Sequence, residues 1–157
     1  MVIILDNIRS VHNVGSIFRT ADAAGVEKIY LCGITPEPVD RFGRPLEQFV
    51  KVSLGAEKTV EWQKIKVISK LIDKLKKENY KIFAVEQSKK SIPFYTPNPK
   101  PHTLKKTTLV FGNEVKGISP AILKKADKIL EIPMSGRKES LNVAVAFGIV
   151  VFGILYK

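Results

Sequence analysis

The chain has 157 residues, 45% of them apolar, and one cysteine. That length suits one domain, which buries a core without staples, and a lone cysteine excludes a disulfide framework. Lys and Arg number 26 against 15 Asp and Glu, a net charge of +11, which favours a polyanionic partner because each neutralised phosphate releases a condensed counterion.

VIILD (2–6) reads as a short buried strand. Its decapeptide MVIILDNIRS lacks the basic segment and apolar length of a signal peptide. NVGSIFRTADAAG (13–25) carries Val14, Ile17, Ala21 and Ala24 on one helical stripe, with Gly25 as the stop and Asn13 a candidate cap. KIYLC (28–32) is a second strand and completes a βαβ unit. Cys32 within it reads as a small buried apolar residue, at home in a reducing cytoplasm. Residues 33–58, with three prolines, read as a loop holding a short helix. IKVISKLIDKLKKENY (65–80) reads as a helix with Ile65, Ile68, Leu71, Ile72 and Leu75 inward and a solvated lysine face. Trp62 before it reads as packing.

KIFAV (81–85) is a third strand, followed by a polar, proline-rich loop over 88–106. TTLVFG (107–112) is a fourth strand. SPAILKKAD (119–127) reads as a helix capped by Ser119 with Pro120 in its first turn, and KILEIP (128–133) as a fifth strand. The chain closes on 14 apolar or glycine residues, Val143 to Tyr156, too few for a membrane span and suited to a buried or interface helix. Strands alternating with helices predict an α/β domain with a mainly parallel sheet, helices on both faces and five strands.

Polar clusters follow three of those strands, where parallel sheets bind ligands. They are NIRSVHNVGSIFR, FGNEVKG and IPMSGRKESLN. Neither a dinucleotide fingerprint nor a P-loop is present, and Ser140 is outside any G-x-S-x-G elbow. Two isolated histidines, His12 and His102, with one cysteine make no zinc site, so no metal is expected.

HNVGSIFRTADAAGV, LVFGNEVKGIS and IPMSGRKESLNVAVAFGI, in that order, resemble the three motifs of the SpoU (TrmH-like) RNA 2′-O-ribose methyltransferases of the SPOUT superfamily. The resemblance implies a C-terminal deep trefoil knot, S-adenosylmethionine as cofactor, tRNA or rRNA as partner, and a cytoplasmic homodimer. By it, Asn13, Arg19, Glu114, Ser140 and Asn142 match active-site positions. Gly112, Ile132 and Leu141 match cofactor-holding positions, with Met134 and Val85 nearby. It also implies a single catalytic domain over 1–157, without the N-terminal RNA-binding extension of many relatives.

A ribose hydroxyl is a poor nucleophile, and a literal arginine base is expensive. Lowering a guanidinium pKa from about 13.8 to about 7 costs roughly 9 kcal/mol. Arg19 is therefore expected to act as a charged donor, with Glu114 orienting Arg19 or another donor. Arg9, Arg41, Arg44, Arg137 and Lys138 are the expected RNA contacts, because arginine suits phosphate. Base methylation by the same fold and a silent RNA-binding factor stand as alternative readings.

Overall fold

The computed structural model describes residues 1–96 and 104–156; His102 lies outside them. Seven strands form one sheet: β1 (Val2–Asp6), β2 (Lys28–Cys32), β3 (Glu61–Ile65), β4 (Lys81–Val85), β5 (Ile92–Pro93), β6 (Thr107–Phe111) and β7 (Lys128–Glu131). Their order is β3-β2-β1-β6-β4-β7-β5, and every pairing is parallel. The helices are α1 (Val11–Ala24), α2 (Glu47–Ser53), α3 (Ile68–Lys77), α4 (Pro120–Leu123) and α5 (Val143–Leu155), with a 3-10 turn at Ala56–Lys58.

Strands covered on both faces read as unbroken apolar runs, and β1 and β6 are buried at every residue. Alternate side chains then feed two cores. Ile3, Leu5 and Leu109 meet Ile17 and Phe18 of α1, Phe49 of α2, and Phe147 and Val151 of α5. Val2, Ile4 and Val110 meet Leu71, Ile72 and Leu75 of α3 and Ile122 of α4. Helices thus cover both faces, with α1 and α5 as neighbours on one of them.

The sheet has two strands more than expected. β3 alternates exposed and half-buried residues (EWQKI), the pattern of an edge strand that adds little to core burial. Ile65 belongs to it, so α3 begins only at Ile68. β5 is two residues long and contains Pro93, which a sheet tolerates only at an edge. Trp62 packs against the first core, and Cys32 is fully buried, its thiol pushed up to about 12 by burial and then by Asp6. α1 starts at Val11 because Ser10, not Asn13, is its N-cap. No helix among the described residues is long and apolar enough to cross a membrane.

Candidate active site

Because all strands are parallel, the carboxyl ends of β1, β4, β6 and β7 open at one edge. The chain leaves β1 toward β2 and β3, then later returns to β1's other side as β6. That break in strand order leaves a crevice where α/β sheets bind ligands. Segments 7–13, 86–87, 112–118 and 131–142 meet there.

Three side chains tie the segments 7–13, 112–118 and 131–142 together. Asn142 is the N-cap of α5, and its Oδ1 accepts from the N–H groups of Ala144 and Val145. Its Nδ2 must then face outward, and it donates to Asn13 Oδ1 at 3.0 Å. That fixes Asn13 in turn, whose Nδ2 donates to Glu114 Oε1 at 3.1 Å. Glu114 also accepts from the backbone N–H groups of Arg9 (3.0 Å) and Ser10 (3.2 Å) at the start of α1. Ser10 Oγ accepts from Asn13 N–H, the ordinary N-cap bond.

The carboxylate of Glu114 sits against the positive end of α1, where anions are favoured. Partial burial by itself raises its pKa. The N–H of Arg9, its own N–H, the Asn13 amide and the Ser10 N–H together outweigh that and hold it below the usual carboxylate range. Glu114 is thus a firm anion at neutral pH.

Beside this relay runs a continuous cleft. One part, about 510 Å³, is lined by Val85, Ile132, Met134, Ser140 and Leu141 with Glu86, Glu131 and Glu139. The adjoining part adds Asn13, Gly112, Glu114 and Asn142. Among the described residues, no Lys or Arg lines either part, in a chain whose net charge is +11. Gly112 lets the following loop fold back on itself, since a Cβ there would sit 2.5 Å from Ile118 and 2.7 Å from the Gly117 carbonyl carbon. A hollow on the far side of that loop is bordered by Arg9 and Lys116.

Nine of the ten expected catalytic and cofactor residues therefore meet at this edge. The tenth, Arg19, does not. It lies six residues beyond Asn13, hence about 9 Å farther along α1 and turned about 120° away. It is exposed on the side of the helix opposite the sheet and makes no ion pair or hydrogen bond with any described residue. The partners of Glu114 are Asn13 and two backbone N–H groups, not Arg19. Of the expected RNA contacts, Arg9, Arg41, Arg44, Arg137 and Lys138 are all exposed. His12 is an exposed residue in the first turn of α1.

Glu86 escaped the sequence reading. It follows β4 directly, and its Oε2 accepts from Ile118 N–H at 2.8 Å, joining the cleft to the loop that carries Glu114. A carboxylate one residue past a strand end was the available signal. Among the described residues, no group of three or more His, Cys, Asp or Glu could hold a metal ion.

A family model described as the SpoU rRNA Methylase family matches residues 1–152. The tRNA (guanosine(18)-2′-O)-methyltransferase of Aquifex aeolicus (strain VF5) is 36% identical over 157 residues, covering 97% of this chain and 67% of that protein. A Staphylococcus haemolyticus relative assigned to the TrmH family is 31% identical over 99% of this chain, which spans 58% of the relative's length. The crystal structure of the A. aeolicus TrmH/SpoU tRNA modifying enzyme superposes with a TM-score of 0.82 at 32% identity, over 98% of this chain and 73% of that one. An AdoMet-bound rRNA methyltransferase from Sinorhizobium meliloti gives 0.79 at 28% identity, over 98% and 54%.

Proposed function

The chain belongs to the SpoU rRNA methylase family, and from that premise we propose that it transfers a methyl group from S-adenosylmethionine to a ribose 2′-hydroxyl in structured RNA. One observation carries this reading: charge is sorted at a single sheet edge. A cleft walled by Glu86, Glu114, Glu131 and Glu139, with no Lys or Arg among its described lining residues, adjoins a rim bearing Arg9 and Lys116. A cationic cofactor suits the first and RNA phosphate the second.

When bound, S-adenosylmethionine supplies a methyl group on a cationic sulfur, open to in-line attack by an oxygen. Val85, Ile132, Met134 and Leu141 offer apolar walls for its adenosine, with Gly112 and the neighbouring backbone holding its polar edge. Asn13, Ser140 and Asn142 position the ribose, a role of consequence because a 1 Å displacement can cost about 10²-fold. Arg19 acts as a charged donor that steadies the developing alkoxide, and the hydroxyl proton leaves to a neighbouring phosphate or water.

A homodimer belongs to this reading. Val145, Ile149, Phe152 and Tyr156 recur along one side of α5 and remain exposed, although a helix apolar all round is normally covered. A second copy supplies the cover. α1 lies beside α5, and we read the action of Arg19 as crossing the boundary between the paired chains. The single-domain organisation, the family's C-terminal knot and a cytoplasmic location complete the proposal, the last supported by an unpaired, buried Cys32.

The test uses total RNA from cells lacking the gene, incubated with the protein and S-adenosylmethionine carrying a labelled methyl group. Nuclease digestion and mass analysis are expected to find the label on ribose. Label on a base, or none, ends the reading. Arg19→Ala is expected to lower the rate about 10²–10³-fold while cofactor affinity stays near wild type.

A further inference from the structure

Between β2 and α2 the chain forms a small closed hairpin. Leu46 N–H donates to Pro38 O at 2.9 Å, Asp40 N–H to Arg44 O at 2.8 Å, and Gly43 N–H to Asp40 O at 2.9 Å. Val39 and Pro45 make an antiparallel bridge, and Gly43 takes the left-handed conformation the turn needs, at φ 76°. The Asp40 carboxylate fills the turn, accepting from Phe42 N–H, Arg44 N–H and Arg44 Nε. All of this bonding holds out one tip, Arg41-Phe42-Gly43.

At that tip the Phe42 ring is 65% exposed. The guanidinium carbon of Arg41 lies 4.7 Å from its centroid and that of Arg44 lies 5.1 Å away. A firmly built turn that presents an aromatic ring to solvent and flanks it with two guanidiniums has the composition of a nucleobase platform. Bases stack on aromatic rings and on guanidinium planes alike, and the guanidinium charge then meets the adjoining phosphate. Because β2 is parallel to β1 and β6, the segment carrying this hairpin leaves the sheet at the same edge as the candidate active site.

We infer that Phe42, with Arg41 and Arg44 against it, stacks on an unpaired base of the RNA whose ribose is methylated. The inference rests on the RNA-methylation reading and adds to it a single-stranded element in the substrate near the reacting nucleotide.

The experiment compares wild type with Phe42→Ala, Phe42→Leu and Phe42→Trp. It measures binding to a mixed-sequence single-stranded RNA dodecamer and to a fully paired RNA duplex, together with methyl transfer to RNA from cells lacking the gene. Phe42→Ala and Phe42→Leu are expected to weaken dodecamer binding about 5- to 150-fold, the range of one missing stack, with an unchanged salt slope. Phe42→Trp should bind at least as well as wild type. Duplex binding should hardly change. Arg41→Ala and Arg44→Ala should instead flatten the salt slope, by about one for each phosphate no longer neutralised.

Phe42 lies at an exposed tip, so unaltered melting temperatures serve as the folding control. Equal dodecamer affinity and equal methyl transfer in Phe42→Ala and wild type would overturn the inference and leave the methylation reading intact. A dependence on Phe42 with duplex as strong as with single strand would also overturn it. Loss of RNA binding and methyl transfer by wild type itself would bring down both.

Discussion

The amide of Asn142 divides its two ends between fold and site. Oδ1 closes the first turn of α5, and Nδ2 reaches Asn13, which holds Glu114. Two replacements separate these duties. Asn142→Ala loses the cap and is expected to cost about 1 kcal/mol of stability, read as a lower Tm. Asn142→Asp keeps an acceptor at the cap but has no donor for Asn13, so Tm should stay near wild type while methyl transfer falls by about tenfold or more, as misplacement costs are steep. Equal activity of the Asp variant and wild type would show that the link to Asn13 has no part in the reaction. Residue type alone did not reveal this division, because a capping asparagine and a substrate-facing one look identical in sequence.

At the scale of elements, what could be read depended on burial. β1, β2, β4 and β6 are apolar runs with sharp ends, and each stands where the pattern put it. β3 and β5 were invisible, since an edge strand half in water, or one of two residues with a proline, carries no period to detect. The cap of α1 lies three residues earlier than Asn13 because Ser10 competes with it and lies closer to the strand. The loop from Gly112 to Ile118 depends on an approach no local pattern encodes: Gly117 sits at φ 65°, and a Cβ there would fall 2.3 Å from Glu86 Oε2. Gly117→Ala should therefore cost about 1–2 kcal/mol through the left-handed backbone alone and also displace Glu86 from Ile118 N–H. A Tm lowered by several degrees, together with weaker S-adenosylmethionine binding by calorimetry, is the expected pair of results. An unchanged Tm would mean that the loop tolerates another course.

For the whole molecule, the informative surface is α5. Its closing run was legible as a buried or interface helix from its length and composition, but which residues face out needed the packing of α1 beside it. Ile149 is 39% exposed between Val145 and Phe152, so I149E sets a charge in the middle of the stripe without touching the core. Sedimentation should find wild type at twice the chain mass and I149E at the chain mass with its secondary structure retained. A wild-type monomer with full activity would remove the dimer from the proposed function. The variant should lose methyl transfer if Arg19 acts across the pair.

The lane occupied by β6 sets the order in which this molecule can be made. β6 pairs on one side with β1, more than a hundred residues earlier, and on the other with β4. A growing chain that has left the ribosome only as far as β5 therefore holds two apolar strand borders around an unfilled slot. At about 5–20 residues per second the wait lasts seconds, and such distant parallel pairings form slowly even afterwards. The seam beside the candidate site thus stays open until β6 arrives, and the slot between β4 and β5 waits longer still, for β7.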